Sequence, residues 1–191
     1  MKILLVDPPI GQIVDSMPYK EGPAFAIGLL SIDSYLEKHG YYEIELENYF
    51  GCGWEDIKAR LRQSNPDIIG LSCTTDSRGF CWRLARLAKE IRPDVKIVLG
   101  NVHATFFPRQ MIEHHPIDFC VLSEGEETML ELVRAIESRR TDYSDILGVA
   151  WRDPVTGEIK VNGQRPLTLT KYPLTANVVF LLTWKASDKP I

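Results

Sequence analysis

The residues able to do chemistry fall in four short segments, each following an apolar run: Asp7-Pro8-Pro9-Ile10-Gly11, Ser72-Cys73-Thr74-Thr75-Asp76-Ser77, Gly100-Asn101-Val102-His103-Ala104-Thr105 and Ser123-Glu124-Gly125-Glu126-Glu127-Thr128. Phosphate chemistry is disfavoured in the first. It is neither GxGxxG nor GxxxxGK[ST], and its two prolines remove backbone donors that a phosphate would need. A rigid strand exit explains Pro8-Pro9 equally well. In the second, five of six side chains can hydrogen-bond, which suits the polar rim of a ligand. Asp76 or Ser77 also suits a helix cap, a role that leaves Ser72 and Thr74 available. Gly100 permits close backbone approach to a strand or a ligand. His103 is the lone histidine of the four segments, and such a residue is more often hydrogen-bonded in its loop than bound to metal. Glu124 and Glu126 could form an acid/base couple, although nothing in the spacing places them in one site. Glu126 and Glu127 also suit a first helical turn, where carboxylates complement the helix dipole, and Gly125 allows a sharp turn into it.

Stepping along the chain, short β-branched runs alternate with amphipathic stretches, as in a parallel sheet covered by helices. Strands are expected at Lys2–Asp7, Glu43–Glu47, Asp67–Ser72, Lys96–Leu99 and Asp118–Leu122. The second alternates and suits a place near the sheet edge, whereas the third is apolar on both faces and suits the centre. Between them, one helix runs from near Pro23 to Gly40 with a stripe of Phe25, Leu29, Ile32 and Leu36. Others present Trp54, Ile57 and Leu61; then Phe80, Leu84, Leu87, Ala88 and Ile91; then a short helix runs around Gln110 to His114; and the last presents Met129, Leu132, Val133 and Ile136. Five βα units in this order predict an α/β, Rossmann-like, five-stranded parallel sheet in flavodoxin-like order, with helices on both faces. Gly148–Arg152 and Glu158–Val161 flank a Gly-containing loop and predict a C-terminal β-hairpin. In such a sheet ligands bind outside the carboxyl ends of the strands, which is where all four polar segments fall.

Composition narrows the function classes. The 191 residues are 45% hydrophobic and 25% charged with a net charge of −4, as in a soluble globular domain with no basic surplus for nucleic acid or anionic membranes. No apolar stretch approaches the roughly 20 residues of a membrane span, and the N-terminus lacks a signal-peptide pattern, so a cytoplasmic protein is expected. Cys52, Cys73, Cys81 and Cys120 form no CxxC pair and read as free structural thiols. A phosphoacceptor receiver domain shares the fold, but Ser72 stands where its aspartate would be and Ser123-Glu124 where its lysine would be.

The ordered set DPPIG, PAFAIGLLSIDSYLEKHGY, DIIGLSCTT, KIVLGNVHAT and DFCVLSEGEETMLELVRAI, over Met1 to Pro166, resembles the N-terminal cobalamin-binding domain of cobalamin-dependent radical S-adenosylmethionine enzymes. That resemblance implies a bound cobalamin in its base-off form, the dimethylbenzimidazole tail withdrawn from cobalt and held beside the sheet. By the same likeness, the segment Pro8, Pro9, Ile10 and Gly11 lies under or beside the corrin, and Ser72 and Thr74 contact the corrin or tail. Cys73, Thr75 and His103 belong to the same rim. Gly100 and Asn101 line the tail channel, and Glu124, Gly125 and Glu126 pass near the nucleotide end. Related cobalamin domains supply a cobalt-ligating histidine from DxHxxG; Asp7-Pro8-Pro9-Ile10-Gly11 has none, so no protein histidine ligand is expected. The family's usual Gly-Gly is Gly100-Asn101 here, and asparagine adds bulk while tolerating unusual backbone angles.

The radical enzymes hold a four-iron four-sulfur cluster with CxxxCxxC, which this sequence does not contain. The resemblance therefore implies that the cluster and S-adenosylmethionine belong to a radical domain missing from this chain but joined to it in cis in the full-length protein. The expected organisation is a cobalamin-binding domain over 1–145, a hairpin extension over 146–170, and an atypical tail over 171–191. The apolar tail suggests a fragment or a degenerate reading frame. The expected function is a cobalamin-binding module serving methyl transfer or related radical chemistry, not catalytic alone. A cofactor-free regulatory or protein-interaction module that keeps the fold is the alternative.

Overall fold

The computed structural model describes residues 1–9 and 26–166; Ile10, Gly11, Pro23, Phe25 and the tail from 171 lie outside them. The strands are β1 (Ile3–Asp7), β2 (Ile44–Asn48), β3 (Ile68–Ser72), β4 (Lys96–Gly100), β5 (Phe119–Val121), β6 (Val149–Arg152) and β7 (Ile159–Val161). They form one sheet in the order β2-β1-β3-β4-β5-β6-β7. The first five are parallel, in the expected flavodoxin-like order, with β2 at the edge. The hairpin does not stand apart: β6 pairs antiparallel with β5, and β7 with β6, so the sheet has seven strands rather than five.

The helices are α1 (Ile27–Lys38), α2 (Trp54–Ser64), α3 (Arg78–Ile91), α4 (Asn101–Phe106), α5 (Pro108–His114) and α6 (Glu126–Glu137). Strand periodicity divides the core in two. Leu4, Val6, Ile69, Leu71, Ile97 and Leu99 point to one face, where Ile57 and Leu61 of α2, Leu84 of α3 and Met111 of α5 cover them. Ile3, Leu5, Ile68, Val98, Phe119 and Val121 point to the other, covered by Leu29 and Leu36 of α1 and Met129 and Val133 of α6. Gly40, at φ +94°, ends α1, and the next amide, Tyr41 N–H, reaches back to the Leu36 carbonyl at 3.1 Å.

One element was not expected. Asn101–Phe106, read from the sequence as a loop, is a helix entered within a single residue. Asn101 takes φ +74°, turning the chain out of β4, and its Oδ1 accepts the Val102 N–H at 2.6 Å. Val102 and Phe106 are exposed, so no apolar stripe announces the helix, and Pro108 starts α5 immediately afterwards.

Asp33 sits buried on α1, and burial, with Glu37 one turn away, pushes its carboxyl up to about 6. An acid whose folded pKa exceeds its unfolded value near ~4 contributes most at low pH, and that contribution is lost as pH rises through about 6. Asp33→Asn is therefore expected to raise stability at pH 7 by roughly 1–3 kcal/mol and to change little below pH ~4. Urea denaturation across this range checks it; a stabilisation that ignores pH would refute it.

Candidate functional site

The parallel strands end together at Asp7, Asn48, Ser72 and Gly100. On the face covered by α1 and α6, alternation brings Ile68, Gly70 and Ser72 of β3 beside Val98 and Gly100 of β4. Two glycines on adjacent strands leave the sheet without side chains there. A cavity of about 300 Å³ opens over them, walled by the first turns of α1 and α6. Its apolar lining includes Leu5, Leu29, Ile32, Val98, Val121 and Met129, and its polar lining includes Ser72, Asn101, Ser123, Glu124 and Glu126.

Each glycine has its own geometry. A Cβ on Gly70 would meet Leu5 Cδ2 at 2.7 Å, so this glycine lets the neighbouring strand's leucine lie flat. A Cβ on Gly100 would meet nothing within 4 Å, since that position faces the cavity. Gly125 brings the start of α6 against α1: a Cβ there would touch Ile32 Cδ1 at 3.2 Å and Val121 Cγ1 at 3.3 Å.

The polar groups are tied together. Asn101 Nδ2 donates to Ser72 Oγ at 2.9 Å, which fixes the hydroxyl at the cavity wall. The positive φ of Asn101 explains why asparagine can stand in a glycine's place, since it tolerates the left-handed region better than most residues. Its side-chain amide is engaged at both atoms, Nδ2 by Ser72 and Oδ1 by the Val102 N–H, although the residue is exposed. Across the cavity, Ser31 Oγ of α1 donates to Glu126 Oε1 of α6 at 2.5 Å. The other oxygen, Glu126 Oε2, is buried without a hydrogen-bond partner. No lysine, arginine or histidine lines the cavity among the described residues.

Asp7, at the end of β1, accepts the Ala26 N–H at 3.1 Å and an Asn48 Nδ2 donor at 3.5 Å. Burial raises its carboxyl above the usual range, against the lowering effect of the Ala26 bond. It thus anchors the chain where α1 begins.

Of the residues singled out in the sequence, Ser72, Gly100, Asn101, Glu124, Gly125 and Glu126 come together around the cavity. Pro8 and Pro9 are buried at the end of β1, while Ile10 and Gly11 lie outside the described residues. Cys73, Thr74, Thr75 and His103 do not line the cavity. Cys73 belongs to the core of the opposite sheet face. Thr74 and Ser77 are tied to each other, hydroxyl to hydroxyl at 3.0 Å, with Ser77 Oγ also accepting the Thr74 N–H. Ser77 stands at the N-cap of α3, but its hydroxyl serves this turn rather than a cap bond. His103 is buried, its Nδ1 lies 3.2 Å from Thr75 Oγ1, and its ring packs on Phe107 at 5.1 Å. Burial, helped by the Arg78 charge, pushes its pKa down and favours the neutral ring. No cluster of metal-ligating side chains exists among the described residues.

Sequence reasoning missed the walls of the site. Gly70 carried a signal, a glycine inside an otherwise apolar central strand, which marks a close approach. Ser31 carried none: its role depends on α1 and α6 being neighbours, a tertiary fact.

A family model of the B12 binding domain matches residues 20–133, and the chain belongs to that family. Over 168 residues, 87% of this chain, it is 32% identical to an uncharacterized methyltransferase of Pyrococcus horikoshii, PH0819, of which it covers 36%. The fold matches that of the cobalamin-dependent S-adenosylmethionine radical enzyme OxsB, solved with aqua-cobalamin and S-adenosylmethionine bound, with a TM-score of 0.70 at 24% identity over 87% of this chain and 23% of that one. It also matches the radical S-adenosylmethionine methyltransferase TsrM of Kitasatospora setae, with a TM-score of 0.67 at 20% identity over 84% of this chain and 30% of that one. The chain spans between 13% and 36% of the length of the curated relatives it matches.

Proposed function

We propose that this chain is the cobalamin-binding module of a cytoplasmic radical S-adenosylmethionine enzyme, and that the cavity between α1 and α6 receives the nucleotide tail of a base-off cobalamin. The observation that carries this reading is the sheet left open at Gly100, with only Leu5 lying over Gly70 beside it, beneath a cavity open toward the strand ends. A flat aromatic base needs an apolar slot of this kind, and Leu5, Val98, Val121 and Met129 supply its walls. Ser72, positioned by Asn101, offers a hydroxyl to the tail at the slot's mouth. The corrin then rests on the strand ends, with Pro8, Pro9, Thr74 and Thr75 at its margin.

Cobalamin, when bound, supplies a cobalt that can accept a methyl group and pass it on. This chain's residues contribute position. They would hold the tail in the slot, through Ser72 and the apolar walls, and the macrocycle at the strand ends. His103 is unsuited to ligation because its ring is buried between Thr75 and Phe107. S-adenosylmethionine and the four-iron four-sulfur cluster belong, in this reading, to a radical domain in cis beyond this chain. The likeness to OxsB and TsrM supports that placement.

Titrating the purified chain with hydroxocobalamin tests the proposal. A saturable shift of the visible spectrum to the base-off form is expected; an unchanged spectrum at high protein concentration would refute it.

A further inference from the structure

Arg60, Arg92, Arg140 and Arg165 each pair with a carboxylate. The three arginines on the outer face of α3 do not. Arg78, Arg83 and Arg86 are exposed and form no ion pair among the described residues, although Glu90 stands one turn beyond Arg86. Aromatic rings hold two of these guanidiniums instead. Arg83 lies over the Trp54 ring of α2 at 4.1 Å, and Arg78 over Trp82 at 5.9 Å. Trp82 sits one turn from both Arg78 and Arg86, and His115 at the end of α5 stacks on it at 4.0 Å. Burial and the nearby Arg86 charge push the His115 pKa down, so this ring favours its neutral form. Arg78 spends one donor on the Thr75 carbonyl. A guanidinium laid on a ring keeps its in-plane donors for a further partner and has already given up part of its rotamer freedom.

We propose that the outer face of α3 is a docking surface for a carboxylate-rich segment of another protein. It lies on the sheet face opposite the cavity, so the inference does not depend on the cobalamin reading. Arg78 and Arg86 stand two turns, ~12 Å, apart along the helix, and Arg83 extends the positive face toward α2. Tryptophan and arginine anchor protein interfaces, because a large ring and a planar fork of donors bring contact area at little further ordering cost. Charge complementarity selects the partner. The whole chain carries −4, so the surplus on α3 is local. An extended polyphosphate such as nucleic acid meets the repulsion of the whole molecule. A short acidic segment meets only this face, and its carboxylates match the guanidinium fork, two oxygens to two N–H groups.

The probe is a labelled poly-glutamate peptide, with a labelled DNA duplex of equal charge beside it, each titrated with the full chain by fluorescence anisotropy. The peptide is expected to bind more tightly than the duplex, and less tightly as salt rises toward ~0.15 M. Arg83→Glu combined with Arg86→Glu should lose about tenfold or more in peptide affinity. Arg83→Lys with Arg86→Lys, which keeps charge but not the fork, should fall between. Both positions are exposed and away from the cavity, so each variant should stay folded in a thermal melt and titrate with cobalamin as wild type does. No peptide binding by wild type, equal peptide affinity in the Glu variant, or tighter binding of the duplex would overturn the proposal. So would a dimer of the chain that the Glu variant abolishes, since the face would then belong to a second copy.

Discussion

Gly100→Leu is expected to weaken cobalamin binding by about a hundredfold or more while leaving the fold intact. Most substitutions that block a buried site also damage the core, and this one escapes that confusion. Gly100 lies in extended backbone at φ −127°, ψ −170°, a conformation open to any residue. Nothing approaches its missing Cβ within 4 Å, so leucine enters the cavity instead of colliding with a strand or helix. There it occupies the space proposed for the tail's aromatic base. Removing a ring of that kind from water buries on the order of 150–250 Å², worth about 4–6 kcal/mol at ~25 cal/mol per Å². Losing even half of that costs roughly two powers of ten in affinity. Absorbance titration gives the affinity, and far-ultraviolet circular dichroism with a thermal melt gives the fold. Gly100→Leu that folds and binds cobalamin as tightly as wild type would place the tail elsewhere. Gly70→Ala makes the contrast: its Cβ would lie 2.7 Å from Leu5 Cδ2, so it perturbs packing before it reaches a ligand.

Much of the scaffold is legible in the sequence because burial on both faces of a parallel strand leaves an unmistakable mark. Ile68, Ile69 and Leu71 are all buried, and an apolar run of that density has no exposed alternative. The rim is legible too, since hydroxyls, amides and glycines immediately after such runs are placed by topology at one edge of the sheet. What the sequence hides is pairing across distance. Glu126 reads equally well as an acid favouring a helix N-terminus, which it is, and as a buried acceptor, which only the approach of Ser31 reveals. Thr74 reads as a free hydroxyl until Ser77 is seen to occupy it. Helix α4 is hidden for a different reason: six residues with an exposed apolar side carry no periodicity to detect.

The second large effect concerns the hairpin. Trp151→Ala is expected to destabilise the protein by about 3–5 kcal/mol, a substantial part of the ~5–15 kcal/mol that holds an ordinary domain together. Trp151 lies on β6 opposite Phe119 of β5 and is 1% exposed. Tyr143 packs edge-on against it at 5.2 Å and against Phe119 at 4.8 Å, so three rings close the core beneath α6. Lys160 of β7 approaches the indole at 5.2 Å while pairing with Asp153, which pins the hairpin's second strand to the same cluster. The indole Nε1 has no hydrogen-bond partner, so Trp151→Phe should cost far less than Trp151→Ala, since it keeps a ring and removes an unsatisfied donor. Urea denaturation of the two variants separates ring burial from polar cost. A loss of less than ~1 kcal/mol in Trp151→Ala would show β6 to be dispensable to the core. A large loss would make the hairpin part of the platform on which β5 and α6, and with them Glu126, keep their place beside the cavity.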